Sequence, residues 1–192
     1  MNIAILGGSF DPPHKGHYLV LKQILKLRPD IDRIILVPAF QHQWKPVNAS
    51  IKDRLAMLSY LTDNKVEISD IEIKRKGISY TIDTINEIKK QTGAKIYWIV
   101  GSDILLEWDR WDNKGNILDL ATFLVFPRDP YNIPKNIPNG FEVIKDKNLI
   151  TTDVSSTEIR KRIKSRKSIT GMMPKKIERY IVRNRLYLNQ EL

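Results

Sequence analysis

Residues 3–17 read IAILGGSFDPPHKGH: an apolar run from Ile3 to Leu6, the pair Gly7-Gly8, then Ser9-Phe10-Asp11-Pro12-Pro13, then His14-Lys15-Gly16-His17. The apolar run predicts a short buried strand, and Pro13 predicts that a helix opens just behind it. Tyr18, Leu21, Ile24 and Leu25 recur at helical spacing and give that helix one apolar face. Glycines directly after a strand let backbone N–H groups come close to a ligand. A helix N-terminus just beyond them is a natural place for an anion. Neither GxGxxG nor GxxxxGK[ST] is present, so the stretch is not one of the two common phosphate loops.

Further along, Arg33 to Val37 reads as a second buried strand stopped by Pro38, and Ser50 with Asp53 as the cap of a helix through Leu61. Val66 to Ile73 alternates apolar and polar residues and predicts one or two half-buried strands. A helix is expected from about Ile82 to Gln91, closed by Gly93. Strands are expected at Lys95 to Val100 and Thr122 to Phe126, and a proline-rich loop from Asp129 to Gly140. Two closing helices open at Ser155-Ser156-Thr157 and at Pro174. Strands alternating with helices predict a single α/β domain, a Rossmann-like doubly wound parallel sheet, with a C-terminal helical part from about residue 155 to 192 packed on it. Ligands of such sheets collect at the C-terminal strand ends, at the topological switch point.

Composition narrows the class. The chain has 192 residues, 32 basic against 22 acidic, a formal charge of +10, and no cysteine. That length suits one domain with a sizeable core, and 42% hydrophobic residues argue against disorder. Lack of cysteine excludes disulfides, thiolate catalysis and cysteine-based metal sites, and fits a reducing compartment. The N-terminus has no basic region or long apolar stretch, so no signal peptide is expected and a cytoplasmic location is. Eleven basic and two acidic residues fall between Glu158 and Arg185. That stretch is either a nucleic-acid footprint or the solvated side of helices beside an anionic ligand. No aromatic residue interleaves it before Tyr180, so nucleic acid is not the favoured partner.

His14 and His17, one helical turn apart, admit three readings. With Asp11 they offer three metal ligands; they can cap the helix turn; or both reach one phosphate group. The glycine pair and the helix N-terminus favour phosphate.

GGSFDPPHKGH resembles the GxFDPxHxGH signature of the HxGH-type nucleotidylyltransferases, and the rest of the chain resembles one branch, the bacterial nicotinate-nucleotide adenylyltransferases. Residues 72–84 (EIKRKGISYTIDT) are similar to its ExxRxGxSYTxDT segment, and residues 98–103 (WIVGSD), followed by Trp111, to its GxD strand end. Residues 154–160 (VSSTEIR) are similar to ISxTxxR, and Met173-Pro174 through Tyr187 to its closing helix. The resemblance runs nearly end to end. It implies adenylyl transfer from ATP, with Mg²⁺ carried on the phosphates, to nicotinate mononucleotide. It implies that Gly7, Gly8, Ser9, Phe10, His14, Gly16, His17, Gly101, Asp103, Ser155, Ser156, Thr157 and Arg160 hold ATP. Among these, His17 serves the α-phosphate, His14 the triphosphate path and Arg160 the β/γ-phosphates.

Acceptor contacts are implied for Lys45, Ser79, Tyr80, Thr81, Trp111 and Asp112. Backbone N–H groups at Thr81 and Asp112 would meet the nicotinate carboxylate, and Trp111 would stack on the cationic ring. This chain departs from the branch at Gln41 to Pro46, where relatives read PPHK, and at Asp112, where an aromatic is common; the Asp112 side chain is expected to point outward. Other acceptors, nicotinamide mononucleotide or phosphopantetheine, are the competing readings within the enzyme class. A basic nucleic-acid-binding module and an inactive nucleotide sensor are those outside it. No membrane partner is expected, and a homodimer is compatible with the sequence.

Overall fold

The computed structural model describes residues 1–41, 46–110 and 114–188. The elements in chain order are β1 (Asn2–Gly8), α1 (Lys15–Leu27), β2 (Arg33–Pro38), α2 (Ile51–Leu58), β3 (Val66–Ile68), α3 (Ile71–Arg75), α4 (Thr81–Thr92) and β4 (Lys95–Gly101). They continue with α5 (Ile104–Glu107), α6 (Lys114–Leu120), β5 (Ala121–Phe126), β6 (Phe141–Val143), α7 (Ser156–Lys164) and α8 (Lys175–Arg183). The six strands form one sheet in the order β3-β2-β1-β4-β5-β6. Every pairing is parallel. The doubly wound α/β fold expected from the sequence is the fold of this chain. Among the described residues no helix is long and apolar enough to cross a membrane.

The strand period of two sorts side chains onto both faces, which is why the strands read as continuous apolar runs. In β1, Ala4 and Leu6 join one apolar cluster while Ile3 and Ile5 join the other; in β2, Ile34 and Leu36 part from Ile35 and Val37 in the same way. The first cluster is closed by Leu21 and Ile24 of α1, Met57 of α2, Ile159 and Ile163 of α7, and Ile177 and Ile181 of α8. The second is closed by Ile71 of α3, Ile85 and Ile88 of α4, and Ile117 of α6.

Several local expectations need correcting. The strand β1 runs to Gly8, so the glycines finish the strand instead of following it. Only Val66 to Ile68 of the alternating stretch is strand. Asp70 caps α3 and its carbonyl receives the Lys74 N–H, because a five-residue helix is too short to display its own period. The α2 helix ends at Leu58, continued by one 3₁₀ turn over Ser59–Leu61. Pro174 stands at the N-cap of α8, one residue before the first helical position. The edge strand β6 and the short helices α5 and α6 carried no signal.

Candidate active site

At the switch point β1 and β4 lie side by side, and the helices that follow them leave the sheet on opposite faces. A cavity of about 460 Å³ opens there. Gly7 matters for its missing side chain: a Cβ would stand 2.7 Å from the Trp98 ring, which lies across the end of β1. The cavity wall includes Gly7 to Phe10, His14, Gly16, His17, Gly101, Asp103, Ser155 to Thr157 and Arg160. Ser79 and Thr81 complete it on the opposite side. Tyr80 caps α4 and is not among the lining residues. Lys45, Trp111 and Asp112, with most of the atypical loop from Gln41 to Pro46, lie outside the described residues.

His14 is the N-cap of α1 and His17 its third residue, and each caps the other's end of the turn. The Gly16 N–H donates to His14 Nδ1 at 3.1 Å, the His17 N–H faces the same side chain, and the His14 N–H donates to His17 Nδ1 at 3.1 Å. Nδ1 is therefore an acceptor in both rings. A neutral imidazole with an accepting Nδ1 carries its proton on Nε2. No partner for either Nε2 exists among the described residues, so two Nε2–H donors remain, with ring centroids 3.9 Å apart.

Burial holds His14 well below the ordinary imidazole value of 6.5, with His17 and Arg128 pushing the same way. Burial, then Arg128, brings His17 down to about 3. Burial and Arg128 thus favour the neutral form of both rings. The cap fixes the tautomer that can donate, so the capping reading leaves room for the phosphate one. The metal reading is not assembled, because Asp11 turns its carboxylate to the N–H groups of Asn48 and Ala49. Among the described residues no group of three or more histidines and carboxylates is placed to hold a metal ion.

The helix terminus that stays open to an anion differs from the one the sequence singled out. In α1 the Lys15 N–H is taken by the Met172 carbonyl at 2.8 Å, and the next two N–H groups face His14. In α7, Ser155 caps the Glu158 N–H, but the N–H groups of Ser156 and Thr157 meet no acceptor among the described residues. Arg160 stands one turn further on. Its Nη1 donates to the Asp11 carbonyl at 2.7 Å, its Nη2 reaches Thr157 Oγ1 at 3.4 Å, and its buried Nε has no partner. Ser156 Oγ donates to the Pro12 carbonyl at 2.8 Å, so α7 is tied to the loop that carries His14.

Phe10 takes a left-handed backbone (φ 48°) and buries its ring against His17, centroids 4.9 Å apart, which makes it a support for that histidine. Gly16 has the same steric logic as Gly7. A Cβ there would stand 2.9 Å from Cε1 and 3.0 Å from Nδ1 of His14. Gly16→Ala is expected to rotate His14 out of its cap and slow turnover by about 10²-fold, since a displacement near 1 Å can cost that much. Because alanine is the better helix former, the thermal midpoint should hardly move. Steady-state rates beside a circular-dichroism melt check this, and wild-type turnover would refute it.

Of the residues expected to meet the acceptor, Ser79 accepts the Phe40 N–H on its Oγ at 3.1 Å and is a structural tie. Tyr80 offers no side-chain cap to α4. The Thr81 N–H is without an acceptor among the described residues, at the open end of a 12-residue helix. Buried Glu72 receives the Thr84 hydroxyl at 2.5 Å, and Arg75 donates to that hydroxyl at 2.9 Å, which fixes how α3 and α4 meet.

Among the lining residues not read from the sequence as site residues, two charged ones stand out. Arg128, just past β5, pairs with Asp103 at 2.9 Å and supplies positive charge beside both histidines. Only its place at a strand's C-terminal end could have marked it. Glu107 is the other.

The cytidylyltransferase-like family model matches residues 5–162. A Hydrogenobaculum sp. (strain Y04AAS1) protein named "Probable nicotinate-nucleotide adenylyltransferase" is 38% identical over 190 residues, covering 97% of this chain and 98% of the relative. One of the same name from Caldicellulosiruptor saccharolyticus is 39% identical over 198 residues, covering 97% and 99%. In structure, the Plasmodium falciparum nicotinic acid mononucleotide adenylyltransferase complexed with NaAD matches with a TM-score of 0.85 at 24% identity, over 97% of each chain.

Proposed function

We propose the following chemistry for a chain that belongs to the nicotinate-nucleotide adenylyltransferases, within the cytidylyltransferase-like family. The enzyme transfers the adenylyl group of ATP to nicotinate mononucleotide, a step of NAD biosynthesis. A phosphate oxygen of the mononucleotide attacks the α-phosphorus; the bond from that phosphorus to the bridging oxygen breaks, and pyrophosphate leaves with the electron pair. A phosphate monoester is largely dianionic at neutral pH, its second pKa being about 6, and needs no general base. The work left for the protein is to bring two anions together and to hold the charge that builds on the transferred and leaving groups.

The observation that carries this reading is the pair of neutral Nε2–H donors at the switch point, facing the cavity shared with Arg160 and the open end of α7. His17 meets the α-phosphate and His14 the triphosphate path. Arg160 and the N–H groups of Ser156 and Thr157 meet the β- and γ-phosphates. Gly101 and Asp103, which line the same cavity, serve the ribose or adenylate side of ATP. Magnesium enters as part of the substrate, bound to the triphosphate, where it screens the charge that the leaving pyrophosphate gathers. The unoccupied Thr81 N–H at the start of α4 receives the nicotinate carboxylate, with Lys45, Trp111 and Asp112 completing the acceptor side.

The acid is distinguished from the amide by donors that a carboxylate rewards and an NH₂ group does not. Pyrophosphate release from ATP and Mg²⁺ should therefore be strong with nicotinate mononucleotide and at least about 10²-fold weaker with nicotinamide mononucleotide, as expected when donors of a site lose their partner. Equal use of both would overturn the acceptor assignment and leave the histidine chemistry standing.

A further inference from the structure

Asp11 is 2% exposed and ties three distant parts of the chain together. Its carboxylate accepts the N–H groups of Asn48 at 2.6 Å and Ala49 at 2.9 Å, and the hydroxyl of Tyr187 at 2.8 Å, 176 residues away in sequence. Its own carbonyl receives Arg160 Nη1. The next carbonyl, of Pro12, receives Ser156 Oγ. Pro12 and Pro13 then lead directly to His14, and proline fixes φ, so a shift at Asp11 passes to the histidine with little slack. Buried Arg54 braces the same segment, donating to the carbonyls of Ser9 at 2.9 Å and Ala39 at 2.7 Å.

Tyr187 is itself a constrained residue. It is 3% exposed, and its backbone is left-handed at φ 68°, a conformation that a bulky side chain adopts only where its surroundings dictate it. An apolar ring alone would fill this place in the core. The hydroxyl adds a donor aimed at a buried carboxylate that already has two.

We propose that Tyr187 is a positioning residue for phosphate binding: through Asp11 it sets the placement of Arg160 and His14 in the cavity. This rests on the phosphate-side roles given to those two residues above. It assigns the C-terminal end of the chain a part in catalysis without contact with substrate. Among the described residues, residues 79–81 at the start of α4 share no hydrogen bond with Tyr187 or Asp11.

Tyr187→Phe tests it. Removing one hydrogen bond to a charged group should lower kcat about tenfold and raise the KM for ATP by a similar factor. The KM for nicotinate mononucleotide should stay within about twofold. Calorimetric titration of the protein with ATP and Mg²⁺ alone should show the same loss. In a double-mutant cycle with Arg160→Lys the two effects should be strongly non-additive, as for residues acting through one network. A variant that melts earlier but, held well below its midpoint, matches wild type in kcat and both KM values refutes the proposal. Additive effects in the cycle refute it too. Should the phenylalanine variant not fold, Asp11→Asn keeps the shape of the hub and carries the same readouts. Wild-type protein that binds ATP but does not turn over nicotinate mononucleotide would count against the acceptor assignment only. The calorimetric comparison tests Tyr187 in either case.

Discussion

His17→Ala should slow adenylyl transfer by on the order of 10²–10³ while leaving the protein folded, the range measured when one preorganised donor to a developing oxyanion is removed. The two effects of the substitution separate cleanly. Its Nε2–H has no protein partner among the described residues, so deleting it leaves nothing in the fold unsatisfied. Its Nδ1 does have a structural duty, accepting the His14 N–H, and a lost helix cap costs about 1 kcal/mol. That is small against the 5–15 kcal/mol by which domains are ordinarily stable. His17 also lies outside both apolar clusters. His17→Asn, whose side-chain oxygen can still cap, should regain the stability and not the rate. Single-turnover measurement with both substrates saturating reads the chemical step directly. Turnover within a few-fold of wild type would sink the role given to this imidazole.

Acid should destabilise the protein steeply, and these two histidines should be the cause. A base whose pKa falls on folding takes up its proton first in the unfolded chain. As the pH drops below the unfolded value near 6.5, the unfolded state gains protons that the folded state refuses, so stability declines. For His17 the decline continues until the pH nears the folded value of about 3. Each such histidine contributes up to about 1.4 kcal/mol per pH unit in that window. Between pH 6 and pH 4.5 His17 alone is therefore expected to remove on the order of 2 kcal/mol, and His14, also held low, adds to the loss in the same direction. Urea midpoints at pH 7.5, 6.0 and 5.0 measure this. The His14→Gln, His17→Gln double variant should lose most of the slope while staying close to wild type at pH 7.5. A wild-type midpoint that does not move between pH 7.5 and 5.0 would mean that the rings are not held neutral.

Where one physical signal dominated, the fold was legible. Continuous apolar runs marked the central strands β1, β2, β4 and β5, and side-chain caps marked α2 at Ser50 and α7 at Ser155. Gly93, left-handed at φ 62°, marked the end of α4. The failures share a cause as well. Elements of three to seven residues, such as β6, α3 and α6, are too short for a period to register, and tertiary packing places them. In the site, the histidine spacing pointed to a pair of rings that line the cavity together, but not to their inner logic. Ser, Thr, Asp and Asn are the usual caps, so a reciprocal cap made of two imidazoles has no signature to read. Arg128 is a single cation after a strand. The contact between Asp11 and Tyr187 joins residues 176 apart and leaves no local trace in the chain.

The strand order also sets a timetable for synthesis. The β1 strand sits inside the sheet between β2 and β4, and its Asn2 pairs with Lys95. The ribosome makes β1 and β2 long before β4, and at 5–20 residues per second the gap from Asn2 to Lys95 lasts roughly five to twenty seconds. During that interval one side of an apolar strand has its main-chain hydrogen-bonding groups unpaired, the condition in which strands join the wrong neighbour. The nascent chain is thus most exposed to misassembly after β2 has docked and before β4 emerges. A holdase that grips apolar extended segments would have its greatest effect on yield within that window.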